Sequence, residues 1–414
     1  MFRLHIILYI VALVALSTPL RTSAQTPCPA DTTTVDASVV SEDSLRTWPQ
    51  NVQYALRELI AAPLFERSQL GLYVYDLTAD SALFAYGKRQ LMRPASTEKL
   101  LTAITALAQL GGSYRLETCL YRTGEQVDSV LKGDLFFIGG FDPRFGHDDL
   151  RALVSSLSEA GITRVEGSVC LDLSMKDTLR WGWGWCWDDE LEPLCPLTVN
   201  GHANFKEALG RAFREAGICY GGTLEQGHLP ADAILLGTRS HSIDQILGPM
   251  LKKSDNLYAE ALFYQLGRQS GRRYADREMS ADYVKQFIAE LGLSPENYEV
   301  ADGSGLSLYN YATPELLVEA LRYAYRESNI FAHLYPALPI AGCDGTLRHR
   351  MRRGNAYANV RAKTGTVEGV STLAGYATAA NGHRLCFAIM NQGIRRQSDG
   401  RRFQDRVCEV LTAP

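Results

Sequence analysis

Both ends of this chain carry the same local design, and that repetition constrains the fold more than any other feature. Near the N-terminus, residues 70–76 and 82–86 are apolar, β-prone runs separated by the turn-rich Thr78-Ala79-Asp80-Ser81. Near the C-terminus, residues 372–377 and 384–390 flank Ala379-Ala380-Asn381-Gly382. Each pair reads as a β-hairpin. A helix at about 53–61 precedes the first, and one at about 401–411 follows the second. One antiparallel sheet assembled from both termini accounts for this arrangement, so the stretch between them is a helical half or an insertion. Residues 118–238 mix strand-like and helical patterns and read as an inserted α/β domain; from about 241 to 326 the pattern is helical. The expected class is therefore α+β, an antiparallel sheet flanked by helices plus a helical half. The expected division is 1–24, then 25–117 together with 239–414, and the insertion 118–238.

Composition narrows the setting. The chain is 46% hydrophobic and 21% charged with a net charge of -4, an ordinary globular balance. No basic balance points to nucleic acid or an anionic membrane surface. Arg3 and His5 precede an apolar run at 6–16 that is too short to span a bilayer, and Thr22-Ser23-Ala24 follows. This is the pattern of a secretory signal peptide cut after Ala24. It places the mature protein in the periplasm or outside the cell without a transmembrane anchor. Residues 25–46 are a polar lead-in, and Cys28 lacks a lipidation context. Nine cysteines are present, an odd number with no Cys-x-x-Cys pair. Cys186 and Cys195 lie close enough in a loop-like region to pair, whereas Cys119, Cys170 and Cys386 sit in apolar runs as buried thiols. The eight histidines form no metal pattern, and no cofactor is expected.

Three short motifs carry the chemistry. In Pro94-Ala95-Ser96-Thr97-Glu98-Lys99, a serine and a lysine stand three apart at a helix start. That spacing is nearly one turn, so the two side chains share a face. A serine hydroxyl needs a neighbouring proton acceptor, and a lysine becomes one when burial or a nearby cation lowers its pKa. The helix N-terminus adds amide N–H groups for an oxyanion. Alone, Ser-x-x-Lys occurs about once by chance in a chain this rich in serine, and a capped surface helix would explain it. Lys253-Ser254-Asp255-Asn256 lies between helical stretches, where a loop can aim Ser254 at a proton relay and Asn256 at a substrate amide. Lys363-Thr364-Gly365-Thr366 opens a strand. Its lysine and hydroxyls suit a carboxylate, Gly365 clears room beside the backbone, and the Thr366 N–H offers a second oxyanion donor.

Taken in order, Ser-x-x-Lys, Ser-Asp-Asn and Lys-Thr-Gly resemble the motif set of penicillin-binding proteins and class A β-lactamases. The 158 positions between Ser96 and Ser254 resemble the D-alanyl-D-alanine carboxypeptidase/endopeptidase family of peptidase S13 type, the class C low-molecular-mass penicillin-binding proteins. Class A β-lactamases lack such an insertion. Gly139-Gly140-Phe141-Asp142-Pro143, Asp302-Gly303-Ser304-Gly305 and Ala341-Gly342-Cys343-Asp344-Gly345-Thr346 extend the likeness over most of the chain.

The resemblance implies a β-lactamase-like transpeptidase fold and an acyl-enzyme on Ser96 with Lys99 as its base. Ser254 and Asn256 would form the opposite wall, and Lys363 with Thr364 would bind the terminal carboxylate of a D-Ala-D-Ala peptide. Two lysines beside one serine are expected to depress each other's pKa. Peptidoglycan stem peptides and β-lactams are the implied partners. Asp189, in Trp185-Cys186-Trp187-Asp188-Asp189, matches an acidic residue that approaches the amino end of the substrate side chain. Where the family carries a tyrosine-rich stretch, this chain has Glu190-Leu191-Glu192-Pro193-Leu194-Cys195. Asp302, Ser304 and Asp344 read as turn-fixing residues. The competing readings are a β-lactamase or esterase on the same scaffold and a non-catalytic peptidoglycan-binding relic.

Overall fold

The computed structural model describes residues 46–189 and 191–414; the expected signal peptide, the lead-in through residue 45 and Cys28 lie outside the described residues. Helix α1 (Trp48–Ile60) leads into the hairpin β1 (Gln69–Asp76) and β2 (Ser81–Tyr86), then into α2 (Glu98–Leu110). The middle of the chain supplies β3 (Arg115–Arg122), β4 (Glu125–Val127), β5 (Val130–Lys132), β6 (Leu135–Ile138), α3 (His147–Glu159), β7 (Arg164–Val165) and β8 (Val169–Asp172). It continues with α4 (Phe205–Glu215), β9 (Cys219–Tyr220), β10 (Leu224–Gln226) and β11 (Ile234–Ser242). A helical stretch follows: α5 (Ile243–Gly248), α6 (Asn256–Arg268), α7 (Arg277–Glu290), α8 (Pro314–Arg326) and α9 (Ser328–Ala337). The chain closes with β12 (Arg361–Val367), β13 (Val370–Thr378), β14 (Arg384–Gln392) and α10 (Gln397–Thr412).

The two ends do build one sheet. Its strand order is β12-β13-β14-β1-β2, and every neighbouring pair is antiparallel. Strand β1 meets β14 from Gln69 opposite Gln392 to Asp76 opposite Leu385. Period-two alternation sends the side chains of β14 to two different cores. Leu385, Phe387 and Ile389 join Val52 and Leu56 of α1 and Phe403 and Val407 of α10. Cys386, Ala388 and Met390 face the other way and join Leu100 and Leu101 of α2 and Leu316 and Leu317 of α8. Helices therefore cover both faces, which is why β1 and β14 read as nearly unbroken apolar runs.

Helix α2 is buried from Glu98 through Leu107. A helix apolar almost all round is a core helix rather than a surface one. Its first turn nevertheless carries Glu98 and Lys99, so the fold takes both charges out of water.

Residues 115–242 form a second sheet in the order β10-β8-β6-β3-β11, parallel from β10 through β6 and antiparallel from β6 to β11. A small sheet, β4-β5-β7-β9, flanks it. Their core includes Leu120, Phe137, Val154, Leu157, Leu171 and Phe213. Arg46–Pro414 is one compact unit that contains all three sheets.

Some expectations need correction. The helix at the first motif begins at Glu98, because Ala95–Thr97 form a 3-10 turn ahead of it. Cys186 and Cys195 are both free thiols, and Cys119 is half-buried rather than buried. Among the described residues no helix is long and apolar enough to cross a membrane.

Phe387 is fully buried in the cluster shared by α1 and α10. Phe387→Ala is expected to cost about 3–5 kcal/mol, whereas Ser81→Ala, at an exposed sheet edge, should stay within about 0.5 kcal/mol. Urea melts of the two variants would measure the difference, and equal midpoints would contradict the assigned core.

Candidate active site

The first motif is held in a strained turn. Ala95 has φ 46, a left-handed conformation that is uncommon outside glycine. Two hydroxyls keep the turn in place by donating to the Pro94 carbonyl, Thr97 Oγ1 at 2.6 Å and Thr372 Oγ1 of β13 at 2.8 Å. A third wall comes from Gly305, where an added Cβ would lie 1.9 Å from the Ala95 carbonyl oxygen. Ser96 is thereby fixed half-buried one turn before Lys99.

Lys99 is fully buried. Its Nζ lies 3.0 Å from Ser96 Oγ, 2.7 Å from Asn256 Oδ1 and 2.7 Å from the Ser304 carbonyl oxygen. As an ammonium it donates to all three. As a neutral amine it has two N–H groups and one lone pair. The amide oxygen and the carbonyl oxygen can only accept, so they take the two N–H groups. The lone pair is left facing the Ser96 hydroxyl.

The second motif supplies three parts from consecutive residues. A π-turn, Pro249–Lys253, ends in Ser254 with φ 62. That left-handed kink presents Ser254 Oγ to Lys363 Nζ at 2.8 Å. The Asp255 carboxylate accepts from the Tyr258 N–H and caps α6. Asn256, the first residue of α6, then reaches Lys99 from across the cleft.

The third motif lies on β12, the edge strand of the main sheet. Lys363 is fully buried and also donates to the Thr364 carbonyl at 2.6 Å. Half-buried Thr364 donates from Oγ1 to Thr346 Oγ1 at 2.8 Å, and Thr366 is exposed. A Cβ on Gly365 would lie 2.1 Å from Thr372 Oγ1, 2.7 Å from the Pro94 carbonyl oxygen and 3.0 Å from the Ser96 nitrogen. Only glycine lets β12 pass this close to the serine turn. The three motifs, distant in sequence, therefore converge on one cleft.

Electrostatics make the cleft unusual. Burial lowers the Lys99 pKa to about 8, against the opposing pull of Asp302, Glu260, Asp255 and Glu98. Burial, and then the Lys99 charge, hold Lys363 well below the ordinary lysine range. The expected mutual depression of the two lysines runs one way only, from Lys99 to Lys363, and desolvation leads for both. Burial and the neighbouring Asp302 raise Glu260 to about 8. Glu98 is pushed well above the usual carboxylate range, first by burial and then by Asp302 and Glu260. Glu98 Oε1 and Glu260 Oε1 are buried with no hydrogen-bond partner among the described residues.

Sequence reasoning missed Glu260 and the Ser304 carbonyl. Glu260 is four residues after Asn256 on α6, so helical spacing alone puts it on the same face. No sequence signal marks a backbone carbonyl. Asp302 does fix a turn: its carboxylate accepts from the Gly305 and Ser307 N–H groups and from Asn310 Nδ2, each at 2.7 Å. It also accepts from Trp185 Nε1 at 2.8 Å, tying the tryptophan loop to the segment that touches Lys99. Asp344 pairs with Lys252 at 2.5 Å and accepts the Ile340 N–H at 2.8 Å. Asp189 stands at the end of the tryptophan loop. One of its carboxylate oxygens accepts the Cys186 N–H at 2.7 Å, closing that turn.

Known proteins resemble this chain over most of its length. The D-alanyl-D-alanine carboxypeptidase DacB of Haemophilus influenzae is 26% identical over 79% of this chain and 86% of its own length. The carboxypeptidase DacB of Mycolicibacterium smegmatis is 27% identical over 99% of this chain and 95% of its own. The crystal structure of penicillin binding protein 4 (DacB) from Haemophilus influenzae shares the fold, with a TM-score of 0.78 and 24% identity over 86% of this chain and 98% of that one. The sequence model of the D-Ala-D-Ala carboxypeptidase 3 (S13) family matches residues 52–196 and 193–413. The chain belongs to that family.

Proposed function

We propose that this protein is a serine-type D-Ala-D-Ala carboxypeptidase/endopeptidase that cleaves peptidoglycan stem peptides through an acyl-enzyme on Ser96, and that β-lactams acylate the same serine. One observation carries the reading: two fixed acceptors, Asn256 Oδ1 and the Ser304 carbonyl, leave the lone pair of neutral Lys99 directed at Ser96 Oγ. That arrangement is a nucleophile with its base already in hydrogen-bond contact.

The steps follow from the residues. Neutral Lys99 takes the Ser96 proton as Oγ bonds to the carbonyl carbon of the penultimate D-alanine. The developing oxyanion is received by the N–H groups of Ser96 and Thr366, the latter brought near by the glycine beside it. The C–N bond then breaks, and the leaving amine takes a proton from Lys99, with Ser254 and Lys363 as a relay across the cleft. Water next attacks the Ser96 ester, frees the acid and restores the hydroxyl. Lys363, Thr364 and Thr366 hold the terminal carboxylate, and Asn256 supports the peptide amide. An edge strand suits an extended peptide, which can add to β12 as a further strand. Asp189 is assigned to the amino end of the stem-peptide side chain. Residues 118–238 are read as a domain inserted into the peptidase domain, and the protein as periplasmic or secreted.

Purified protein incubated with a fluorescent penicillin should carry the label on the peptide containing Ser96, and Ser96→Ala should carry none. Label on any other residue would refute the assignment.

The pH profile provides a second check. The reactive form of Lys99 is the neutral one, and its pKa is about 8. About 1% is neutral at pH 6, so the acylation rate should climb roughly tenfold per unit below pH 8 and level off above it. Lys99→Met should lower the rate by about 10²–10⁴ and flatten the profile. A wild-type rate independent of pH between 6 and 8 would remove Lys99 as the base.

A further inference from the structure

The tryptophan loop leaves the mechanism with unused side chains. Trp187 is 97% exposed, and Trp181, Trp183 and Tyr309 are exposed as well. Exposed aromatics gathered on one loop mark a binding surface. Two of them, Trp183 and Tyr309, are held in place. Gly184 packs so closely on the 302–309 segment that an added Cβ would lie 2.5 Å from both Ser307 Oγ and Tyr309 Cδ2. The Trp183 and Tyr309 rings lie 4.8 Å apart, and the Arg277 guanidinium sits 4.7 Å from the Trp183 ring. Trp185 anchors the loop on Asp302.

The loop also touches the catalytic region at both ends. Through Asp302 it joins the segment whose Ser304 carbonyl holds Lys99. Beyond Asp189, Leu191 and Glu192 line a cavity of about 740 Å³ that reaches Asp255, in the middle of the Ser-Asp-Asn motif. The aromatic shelf is thus tied to the Lys99 side of the cleft through the 302–304 segment.

We propose that this shelf binds an amino-sugar glycan, the strand that carries the stem peptide; the inference rests on the peptidoglycan reading above. An aromatic face is electron-rich and its edge electron-poor, so it attracts the slightly positive C–H face of a pyranose ring. The polar groups beside the rings, Arg277 and exposed Asp188, match the hydroxyl and acetamido groups at a sugar's rim.

The test uses two substrates with one stem, a disaccharide-pentapeptide and the same pentapeptide without sugar. Trp187→Ala and Trp183→Ala should lower kcat/KM on the disaccharide form about five- to twentyfold, mainly through KM, and leave the free peptide within about twofold. In parallel, Ser96→Ala protein is titrated with a peptide-free tetrasaccharide of alternating N-acetylglucosamine and N-acetylmuramic acid, followed by tryptophan fluorescence. Saturable quenching that Trp187→Ala abolishes supports the shelf even if neither peptide is cleaved, an outcome that would count only against the hydrolase reading. Absence of quenching, equal losses on both substrates, or a dimer that dissociates in Trp187→Ala without any response to sugar would overturn it.

Discussion

Everything at the cleft depends on placing one amine out of water. An ammonium buried alone costs several kcal/mol, and a protein meets that cost by pairing the charge or by letting it go. Here the two options are balanced. The cationic form of Lys99 is supported by three oxygen atoms and by the acidic groups Asp302, Glu260, Asp255 and Glu98. Desolvation by the surrounding helix opposes them. The balance falls at about 8, close enough to neutrality that the amine is available as a base. A more exposed lysine would stay charged, and one buried without acidic neighbours would remain neutral but be too weak a base to take the Ser96 proton. Both halves of an acyl transfer need the intermediate case.

The architecture exists to produce that burial. Helix α2 is buried through its first three turns because the main sheet, α6 and α8 pack on it, and the sheet exists only once β1 finds β14. The N-terminal hairpin therefore waits on residues more than 300 positions later. The same closure delivers β12 to the sheet edge and Gly365 to the serine turn. The placements of Ser96, Lys99 and β12 are consequences of one long-range pairing, so the cleft cannot assemble in a partly closed sheet.

How much of this was legible in the sequence follows from the range of the interactions. The hairpins were readable because period two and turn residues are local, and their mutual pairing followed from having the same design at both ends. The three motifs were readable because each holds its functional atoms within a few residues. Glu260 lies one helical turn from Asn256, but a buried carboxylate on a helix face carries no motif of its own. The Ser304 carbonyl had no signature, since any residue type offers the same atom. The onset of α2 after Ser96 was hidden by the Ala95 kink: alanine is a strong helix former, and only packing against Gly305 and Thr372 holds it in another conformation. The cysteine pairing failed for the opposite reason, since proximity along the chain says little about where two Cβ vectors point.

That kink also explains why the cleft tolerates strain. Ala95 at φ 46 and Ser254 at φ 62 both occupy conformations that ordinary residues avoid, at a cost of about 1–3 kcal/mol each. Neither would persist as an isolated turn. Ala95 is held by two hydroxyls on one carbonyl and by a glycine with no room for a side chain. Ser254 is held between a π-turn and a capped helix, with Lys363 on its hydroxyl. Relaxing Ser254 toward a regular helix would carry its hydroxyl away from Lys363, and relaxing Ala95 would turn the Pro94 carbonyl away from the two hydroxyls that hold the serine turn. The strain is thus the geometric condition for having two serines, each in contact with its own lysine, in one cleft.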